Sequence, residues 1–253
     1  PRAGASYDIT PRLSWRASYG KYYQQPFFLF LAAFPENRDL VPFRATHYVT
    51  GLNVELPAGS RLSIEAYRKD YADYPVATQF PSLSLANIGD TFNTREILFP
   101  LTSAGTGRAR GVEVFFEKTD TGGHWYGQAN LAVSTTRHAG LDQVLRDGSF
   151  DYPVVANAVG GYRLGRWALS VRAAYLAGRP YTPFDEEVSA AQRRGVLDLS
   201  RVNGERSPDY FRLDVRAERS LTIAGRAVTV FAGVQNVTGR RNWAGLQWNR
   251  RLN

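Results

Sequence analysis

The chain has 253 residues and a formal net charge of +8, from 31 Lys and Arg residues against 23 Asp and Glu residues. The basic residues are spread from Arg2 to Arg251 without forming a tail, whereas nucleic-acid binders usually gather such charge in one place. Nucleic acid is therefore not an expected partner. The absence of cysteine excludes disulfides, thiolate metal sites and a cysteine nucleophile. The longest purely apolar run, Phe27 to Phe34, is far shorter than the roughly 20 residues of a membrane-spanning helix.

The amino end of the chain lacks the features of a signal peptide. Pro1 begins the sequence without Met, and neither a basic start nor an apolar core follows it. We therefore expect these 253 residues to be a piece of a longer precursor.

Apolar and polar residues alternate with a period of two along much of the chain, which predicts β-strands, whereas helical periodicity is scarce. In the clearest example, the apolar residues of 211–217 alternate with Arg212, Asp214 and Arg216. The ten predicted strands, with a candidate eleventh at the end, are Ala5–Thr10, Leu13–Tyr23, Thr46–Leu56, Leu62–Asp70, Arg110–Lys118, Trp125–Ser134, Val155–Arg163, Trp167–Tyr175, Phe211–Glu218, Val228–Thr238 and Trp243–Arg250.

The connections between these strands switch between very short and very long. The short ones are the turns at 57–60, 119–123, 163–166 and 221–225. The long ones run over 24–43, 72–107, 138–153 and 178–207. Short turns at one end and long loops at the other are typical of an antiparallel up-and-down β-barrel that spans an outer membrane.

The charged residues within the strands occupy the phase opposite the main apolar residues. A Lys or Arg that faced lipid at mid-membrane would cost about 2–4 kcal/mol, so these residues are predicted to face a barrel lumen. A soluble β-sandwich would show the same alternation with its polar face in water, so periodicity alone leaves both architectures open. The predicted lumen-facing residues are Arg16, Glu65, Glu113, Arg172, Arg212, Asp214 and Arg216.

Aromatic residues near the strand ends favour the barrel over the sandwich. Two belts of Tyr and Trp at the membrane interfaces are typical of transmembrane barrels. The predicted belt at the short-turn end contains Trp15, Trp125, Tyr162 and Trp167. The predicted belt at the long-loop end contains Tyr22, Tyr23, Tyr67, Tyr71, Tyr175, Tyr181 and Tyr210.

Several motifs, in this order, resemble the carboxy-terminal part of the barrel of a TonB-dependent outer-membrane receptor. The resemblance runs through nearly the whole chain, and the order of the motifs is as specific as the motifs themselves. The motifs are YGKYYQQP at 19–26, GRARGVE at 107–113, GRPYTPF at 178–184, PDYFRLD at 208–214 and the segment 231–242 with QNVT at 235–238.

The resemblance implies an all-β transmembrane barrel of about 22 strands with a plug inside it. It also implies a plug-borne segment that engages the TonB complex. The ten or eleven strands of residues 1–253 are about half of such a barrel, so we expect the plug domain and the final strand to be absent here. A small closed barrel of ten strands is the other architecture that fits the strand count.

The sequence predicts neither a catalytic site nor a metal site, and it implies no cofactor. His47, His124 and His138 are far apart, and none has a ligand-like neighbour two or four residues away. The acidic run 185–187 lies in a long polar loop. The glycine-rich stretch 105–111 lacks the Lys-Ser/Thr ending of a phosphate loop and leads into a strand. We therefore expect a protein that is not an enzyme.

Arginines in the long loops are the candidate ligand contacts, because recognition residues often lie on loops of a rigid scaffold. An anionic small molecule such as a metal chelate would be attracted by their charge and bound by bidentate hydrogen bonds. The candidates are Arg95, Arg193, Arg194, Arg201 and Arg206.

The resemblance implies a receptor of the bacterial outer membrane, in contact with its lipid, that takes up a scarce solute actively through TonB. A ferric siderophore is the first expectation for the ligand, and vitamin B12, carbohydrates and other metal complexes stay open. A passive porin-like or adhesin barrel without a plug is the alternative. A soluble β-sheet enzyme or carbohydrate-binding domain is the third reading.

Overall fold

A computed structural model describes residues 1–89, 99–119, 122–245 and 247–249, and it contains thirteen β-strands. Ten of the strands are long, whereas β7, β10 and β11 have three residues or fewer. The strands are β1 (Arg2–Thr10), β2 (Leu13–Gln24), β3 (Phe43–Leu56), β4 (Ser60–Ala77), β5 (Leu101–Lys118), β6 (Trp125–Ala139), β7 (Leu145–Asp147), β8 (Val154–Leu164), β9 (Trp167–Leu176), β10 (Pro180–Tyr181), β11 (Glu205–Arg206), β12 (Tyr210–Ile223) and β13 (Arg226–Val234).

The ten long strands form one antiparallel sheet in which each strand pairs with the next long strand along the chain. The short strand β7 adds to the end of β6, and β10 pairs with β11 in a separate two-stranded sheet. Over the described residues the sheet is open, with β1 and β13 as its two edges. The prediction of an all-β, antiparallel, up-and-down architecture is confirmed.

The strands are joined at one end by tight turns whose backbone conformations the sequence supplies. β12 and β13 are connected by Ala224 and Gly225 alone, which have φ values of 50° and 74°. Positive φ at both central positions defines a type I′ turn, whose twist matches that of antiparallel strands. In the three-residue turn 57–59 between β3 and β4, Ala58 and Gly59 also have positive φ values, 56° and 66°.

The opposite end of the sheet carries the long connections, and these contain the few helices. Helix α1 (Phe28–Ala33) and a 3₁₀ turn (Pro35–Asp39) lie between β2 and β3. Helix α2 (Glu186–Gln192) and a 3₁₀ turn (Leu199–Arg201) lie between β9 and β12. A further 3₁₀ turn (Leu85–Asn87) precedes β5. Among the described residues, no helix is long and apolar enough to cross a membrane.

The buried apolar core lies among these loops and the adjoining ends of β4 and β5. Its buried members are Phe30, Leu40, Ala77, Leu83, Leu101 and Val202. Many large apolar residues of the strands are exposed instead, among them Leu131, Val171 and Val230. A soluble protein would cover such a surface, so the sheet has the distribution of apolar groups that a lipid environment requires.

Two strands extend beyond their predicted limits and shorten the predicted loop 72–107. β4 continues to Ala77 and β5 begins at Leu101. The register shifts between Tyr71 and Tyr74, where Asp73 has a φ of 61°. Such a bulge adds a residue and breaks the period-two pattern, so the alternation in the sequence stops at Asp70 although the strand continues.

The candidate eleventh strand, Trp243–Arg250, is not a strand over its described residues, 243–245 and 247–249. β13 ends before Asn236 and Gly239, which have φ values of 50° and 65°. The Asn242 side chain then accepts from the N–H of Phe211 and donates to its carbonyl, both at 3.0 Å. These contacts turn the chain back across the start of β12, where it cannot extend the sheet.

Candidate ligand-binding loops and the polar sheet face

The strand registers place all seven predicted lumen-facing charges on the same side of the sheet, here called the polar face. Directly paired residues of antiparallel strands point to the same side. Arg16 pairs with Gly51, Gly51 with Glu65, and Glu65 with Glu113, so this row crosses four strands. Arg172 pairs with Asp214 in the same phase further along the sheet.

Several charges of the polar face form opposite-sign pairs. The guanidinium of Arg16 donates to the carboxylate of Glu65 at 3.0 Å. Arg212 Nε donates to both carboxylate oxygens of Asp214, at 2.8 and 3.0 Å, and Asp214 also accepts from the N–H of Asn236 at 2.8 Å. The face therefore carries many charged groups but little net charge. Such a surface is suited to contact with water or with another polar surface.

The other side of the sheet, here called the apolar face, has the opposite composition. It carries alternating apolar side chains from every long strand from β2 to β13. The exposed members include Trp15, Leu52, Ile64, Val112, Phe116, Leu131, Val133, Leu169, Val171 and Val230. A sheet with one polar and one apolar surface has the two-sided wall of a membrane barrel.

The aromatic belt at the short-turn end is on the apolar face. Trp15, Trp125, Tyr162 and Trp167 are all in its phase, and the rings of Trp125 and Tyr162 lie 4.6 Å apart. They lie at the short-turn end of the apolar side chains on this face, here called the apolar band. Aromatic residues of a membrane interface occupy the same position.

The belt predicted at the long-loop end is largely wrong. Tyr22, Tyr67, Tyr71 and Tyr210 are in the phase of the polar face, and Tyr181 lies in the short strand β10, outside the main sheet. Only Tyr23 and Tyr175 of that set point to the apolar side, together with Tyr19 and Tyr48, whose rings lie 5.3 Å apart. A residue's distance from the strand end places it near a rim, but only its phase in the strand decides which face its side chain occupies.

The misplaced tyrosines contribute to an aromatic and histidine cluster at the long-loop end of the polar face. The ring centroid of His138 lies 5.2 Å from that of Tyr71 and 5.3 Å from that of Tyr74. The Tyr74 ring also packs against Phe43, with 4.6 Å between the centroids. Tyr22 packs on a second histidine, His47, at 4.6 Å. No group of three or more His, Asp or Glu side chains suited to a metal ion occurs in the described ranges. Sequence reasoning missed the cluster because its members come from four strands.

The five loop arginines occupy different environments. Arg95 lies outside the described residues. Arg193 ends helix α2 in a left-handed conformation with φ of 50°, and its side chain is exposed. Arg194 is also exposed and donates to the side-chain oxygen of Gln192 at 2.9 Å.

Arg201 belongs to a small acidic turn. Its guanidinium contacts Asp198 at 2.8 Å and Glu205 at 3.2 Å. The Asp198 carboxylate also accepts from the hydroxyl of Ser200 at 2.6 Å and from its N–H at 3.0 Å. The hydrogen bonds from Ser200 and Arg201 lower the pKa of Asp198 to about 2, because they stabilise the ionised carboxylate.

Arg206 connects the loop between β9 and β12, the longest described loop, to the segment between β6 and β8. Its guanidinium contacts the carboxylates of Asp147 and Asp151 at 2.6 Å each and donates to the carbonyl of Gly178 at 2.9 Å. Asp151 is only 2% exposed and also accepts from the N–H of Thr136. Burial acts to lower the pKa of Arg206, but the bonds to Asp151 and Asp147 outweigh it and raise the pKa.

The same loop is held at its base by Asp209. Its carboxylate accepts from the hydroxyl of Tyr175 at 2.8 Å and from the N–H of Gly178 at 2.9 Å. A Cβ at Gly178 would collide with the carbonyl of Ser207, so a larger residue would force the two ends of the loop apart. The glycine is therefore needed for the close approach of these ends.

Fold, surface and connections together define the wall of an outer-membrane β-barrel with long loops at one rim. The sequence profile of the family described as "TonB dependent receptor-like, beta-barrel" matches residues 1–237. The chain belongs to this family, whose proteins are receptors of the outer membrane of Gram-negative bacteria rather than enzymes. The chain is thus assigned to the outer membrane. No curated protein matches it by sequence.

Solved structures of siderophore receptors share the fold at low sequence identity. The ferripyoverdine receptor of the outer membrane of Pseudomonas aeruginosa, bound to ferripyoverdine, matches with a TM-score of 0.69 and 16% identity, covering 95% of this chain and 29% of that one. The ferric-catecholate import receptor Fiu from Escherichia coli K12 matches with a TM-score of 0.66 and 14% identity, covering 95% and 31%. The siderophore receptor PiuA from Acinetobacter baumannii matches with a TM-score of 0.67 and 16% identity, covering 95% and 32%. The chain therefore spans about a third of the length of these structures.

Proposed function

We propose that this chain is the carboxy-terminal portion of the barrel wall of a receptor for TonB-dependent uptake, and that its ligand is a ferric siderophore. The family match over residues 1–237 carries the proposal. The plug and the segment that engages TonB then belong to other parts of the full-length protein. The mechanism is binding followed by gated passage, in which no covalent bond is made or broken.

The proposal assigns the polar face to the lumen and the apolar face to lipid. The ion pairs Arg16–Glu65 and Arg212–Asp214 support this assignment, since a lipid-facing position would strip their charges of water. The seven predicted lumen residues then form part of the polar surface against which a plug would pack. The aromatic and histidine cluster around Tyr71 and His138 lies near the mouth of that lumen.

Among the loop arginines, we assign different roles to the two halves of the loop between β9 and β12. Arg193 and Arg194 are both exposed at the end of α2, and we assign them to contact with an anionic chelate; Arg194 would exchange its bond to Gln192 for one to the ligand. Arg201 and Arg206 are engaged by carboxylates of the protein, so their role is to hold the loop in shape. Arg95 stays a candidate ligand contact.

Growth on defined iron sources tests the function. A strain lacking the full-length gene is complemented with the wild-type gene and supplied with single ferric siderophores as the iron source. Growth on at least one chelate that requires both the gene and TonB is the expected result. Growth that persists without TonB supports the passive porin-like alternative, and no dependence on any iron chelate contradicts the proposal.

Binding to the purified full-length receptor tests the arginine assignment once a chelate is known. The double substitution Arg193→Gln and Arg194→Gln is expected to weaken chelate binding about tenfold or more, since each charge-assisted bond contributes about 1.5–3 kcal/mol. Arg226→Gln removes a positive charge at the opposite end of the sheet and is the matched control, with unchanged affinity expected. Equal affinities of all three proteins would exclude the two loop arginines as ligand contacts.

A further inference from the structure

Four arginines form a compact group on the apolar face at its long-loop end, and this group is here called the outer-rim arginine cluster. The cluster consists of Arg68 on β4, Arg108 and Arg110 on β5, and Arg137 on β6. Arg68 pairs directly with Arg110, and Arg108 pairs directly with Arg137. All four side chains are exposed. None of them is on the polar face, so the lumen and its ligand do not explain them.

The cluster lies immediately beyond the apolar band. Val112 follows Arg110 on the same face and pairs with Val133, the next member of the band. From Trp125, at the short-turn rim, to Arg137 the strand covers roughly 40 Å at about 3.3 Å per residue. With a strand tilt of about 45°, the vertical distance is roughly 28 Å, close to the height of about 25 Å of an apolar membrane band. The four guanidinium groups therefore lie at the depth of the lipid head groups.

The protein neutralises this cluster incompletely. Asp70 contacts Arg68 at 2.9 Å and Arg108 at 3.2 Å, so one carboxylate serves two arginines. Arg137 contacts Asp147 at 3.0 Å, but that carboxylate is also bound by an arginine of the loop. Arg110 has no hydrogen bond or ion pair within the described parts of the chain, and it faces the positive charge of Arg68.

Like charges directly opposite each other on neighbouring strands destabilise a sheet. Arg68–Arg110 and Arg108–Arg137 are two such pairs in adjacent rows, and an external anion between them would relieve the repulsion that Asp70 and Asp147 offset only in part. A phosphate group is a suitable anion, because the guanidinium of arginine donates two parallel hydrogen bonds to phosphate oxygens. The hydroxyl of Thr135, which pairs with Arg110 on the same face, and the phenol of Tyr48, which pairs with Arg68, supply further polar groups at the same depth.

From this arrangement we infer that the outer-rim arginine cluster is a binding site for the phosphate groups of a lipid in the outer leaflet of the membrane. The apolar band below it would contact the acyl chains, and the arginines would contact the phosphorylated head group. A soluble anion would contact only the arginines of this site and not the apolar side chains below them. The inference rests on the assignment of the apolar face to lipid, which belongs to the proposed function.

Lipid retention by the full-length receptor tests the inference. The receptor is purified in detergent and titrated with bisphosphorylated lipid A, with monophosphorylated lipid A, and with inorganic phosphate, and bound lipid is counted by native mass spectrometry. The wild-type protein is expected to bind the bisphosphorylated form at least about tenfold more tightly than the monophosphorylated form. The double substitution Arg108→Gln and Arg110→Gln should abolish that preference.

Two controls separate the possible outcomes. Arg226→Gln, on the apolar face at the short-turn rim, should keep the preference for the bisphosphorylated lipid. Heat-modifiable migration on gels should show that every variant is folded. The inference is overturned if the double variant binds both lipids as the wild type does, or if inorganic phosphate alone displaces the lipid completely. A separate experiment tests whether the apolar face contacts lipid at all. It compares the membrane assembly of Ala129→Arg and Ala132→Arg, which lie on opposite faces of β6.

Discussion

At the scale of single residues, Arg206 shows how a loop arginine can act on structure rather than on ligand. It bridges two carboxylates of the segment 147–151 and a carbonyl at Gly178, near the start of its own loop. One of these carboxylates, Asp151, is almost completely buried, so it depends on this partner for charge compensation. From sequence, Arg206 looks the same as Arg193, because the partner that distinguishes it is more than fifty residues away.

Replacing Arg206 tests this role. Arg206→Gln should destabilise the packing of segment 178–207 by about 2 kcal/mol, because a buried carboxylate loses its cation. Limited proteolysis of the full-length receptor should then cut this segment faster, while heat-modifiable migration of the barrel stays unchanged. Arg201→Gln, in the same loop but paired with carboxylates that are more exposed than Asp151, is the matched control and should have a much smaller effect. Similar cleavage rates in both variants would show that the Arg206 contacts do not hold the loop.

The low pKa of Asp198 leads to a second prediction, on acid stability. Its pKa is lowered from 3.8 to about 2 by bonds from Ser200 and Arg201. The contribution of a carboxylate with a depressed pKa is fully present above its unfolded value and is lost as the pH falls through the folded value. The turn 198–201 should therefore resist cleavage at pH 5 and become labile between about pH 4 and pH 2.

Pepsin cleavage followed by mass spectrometry measures this window, with cleavage outside the loop as the internal standard. Asp198→Asn removes the titrating group, so its turn should be labile already at pH 5 and show no added change below pH 4. A wild-type turn that is cleaved equally at pH 5 and pH 2 would contradict the prediction.

At the scale of elements, each long strand separates its charged side chains from its apolar ones by simple alternation. The registers then align the phases of all ten strands, so that two continuous faces result. Alternation within a strand was readable from sequence, as Arg212, Asp214 and Arg216 showed. The common phase across strands was a hypothesis until the pairing was known, because a one-residue slip would move every side chain to the other face.

Two alanines of β6 provide a matched test of the faces. Ala129 pairs with Ala158 on the apolar face, and Ala132 pairs with Glu113 on the polar face. Ala129→Arg should reduce assembly into the outer membrane strongly, since arginine near the bilayer centre costs about 2–4 kcal/mol. Ala132→Arg should assemble nearly as the wild type does, because Glu113 is a ready partner. The readout is the heat-modifiable fraction of the full-length receptor, and equal losses in both variants would refute the assignment of the faces.

At the scale of the whole molecule, the open sheet has two edges that nothing in the described structure covers. β1 is exposed along its whole length, and β13 is exposed at all but one residue. Unpaired strand edges promote pairing with other chains and aggregation. In a full barrel both edges would be paired with further strands, which agrees with the chain spanning about a third of the receptors it resembles.

Expression of residues 1–253 alone tests this view against a small closed barrel. The isolated segment should aggregate or remain unfolded in detergent, whereas the full-length receptor should show heat-modifiable migration. A monomeric, heat-modifiable species formed by the segment alone would instead support closure of β1 onto β13. The measurement is gel migration with and without boiling, combined with light scattering in detergent.

The sequence by itself determined the strand pattern, the alternation of short turns with long loops, and the charge phase within each strand. These properties are local, because period-two alternation and turn residues such as Ala224 and Gly225 act within a few positions. Tertiary structure alone decided the bulge at Asp73, the return of the chain at Asn242, the aromatic cluster at the mouth of the polar face, and the partners of Arg206. Each of these depends on contacts between segments distant in sequence, and pairing across strands brings such segments together. The outer-rim arginine cluster arises in the same way, because its four members are unremarkable along the chain and meet only when β4, β5 and β6 are in register.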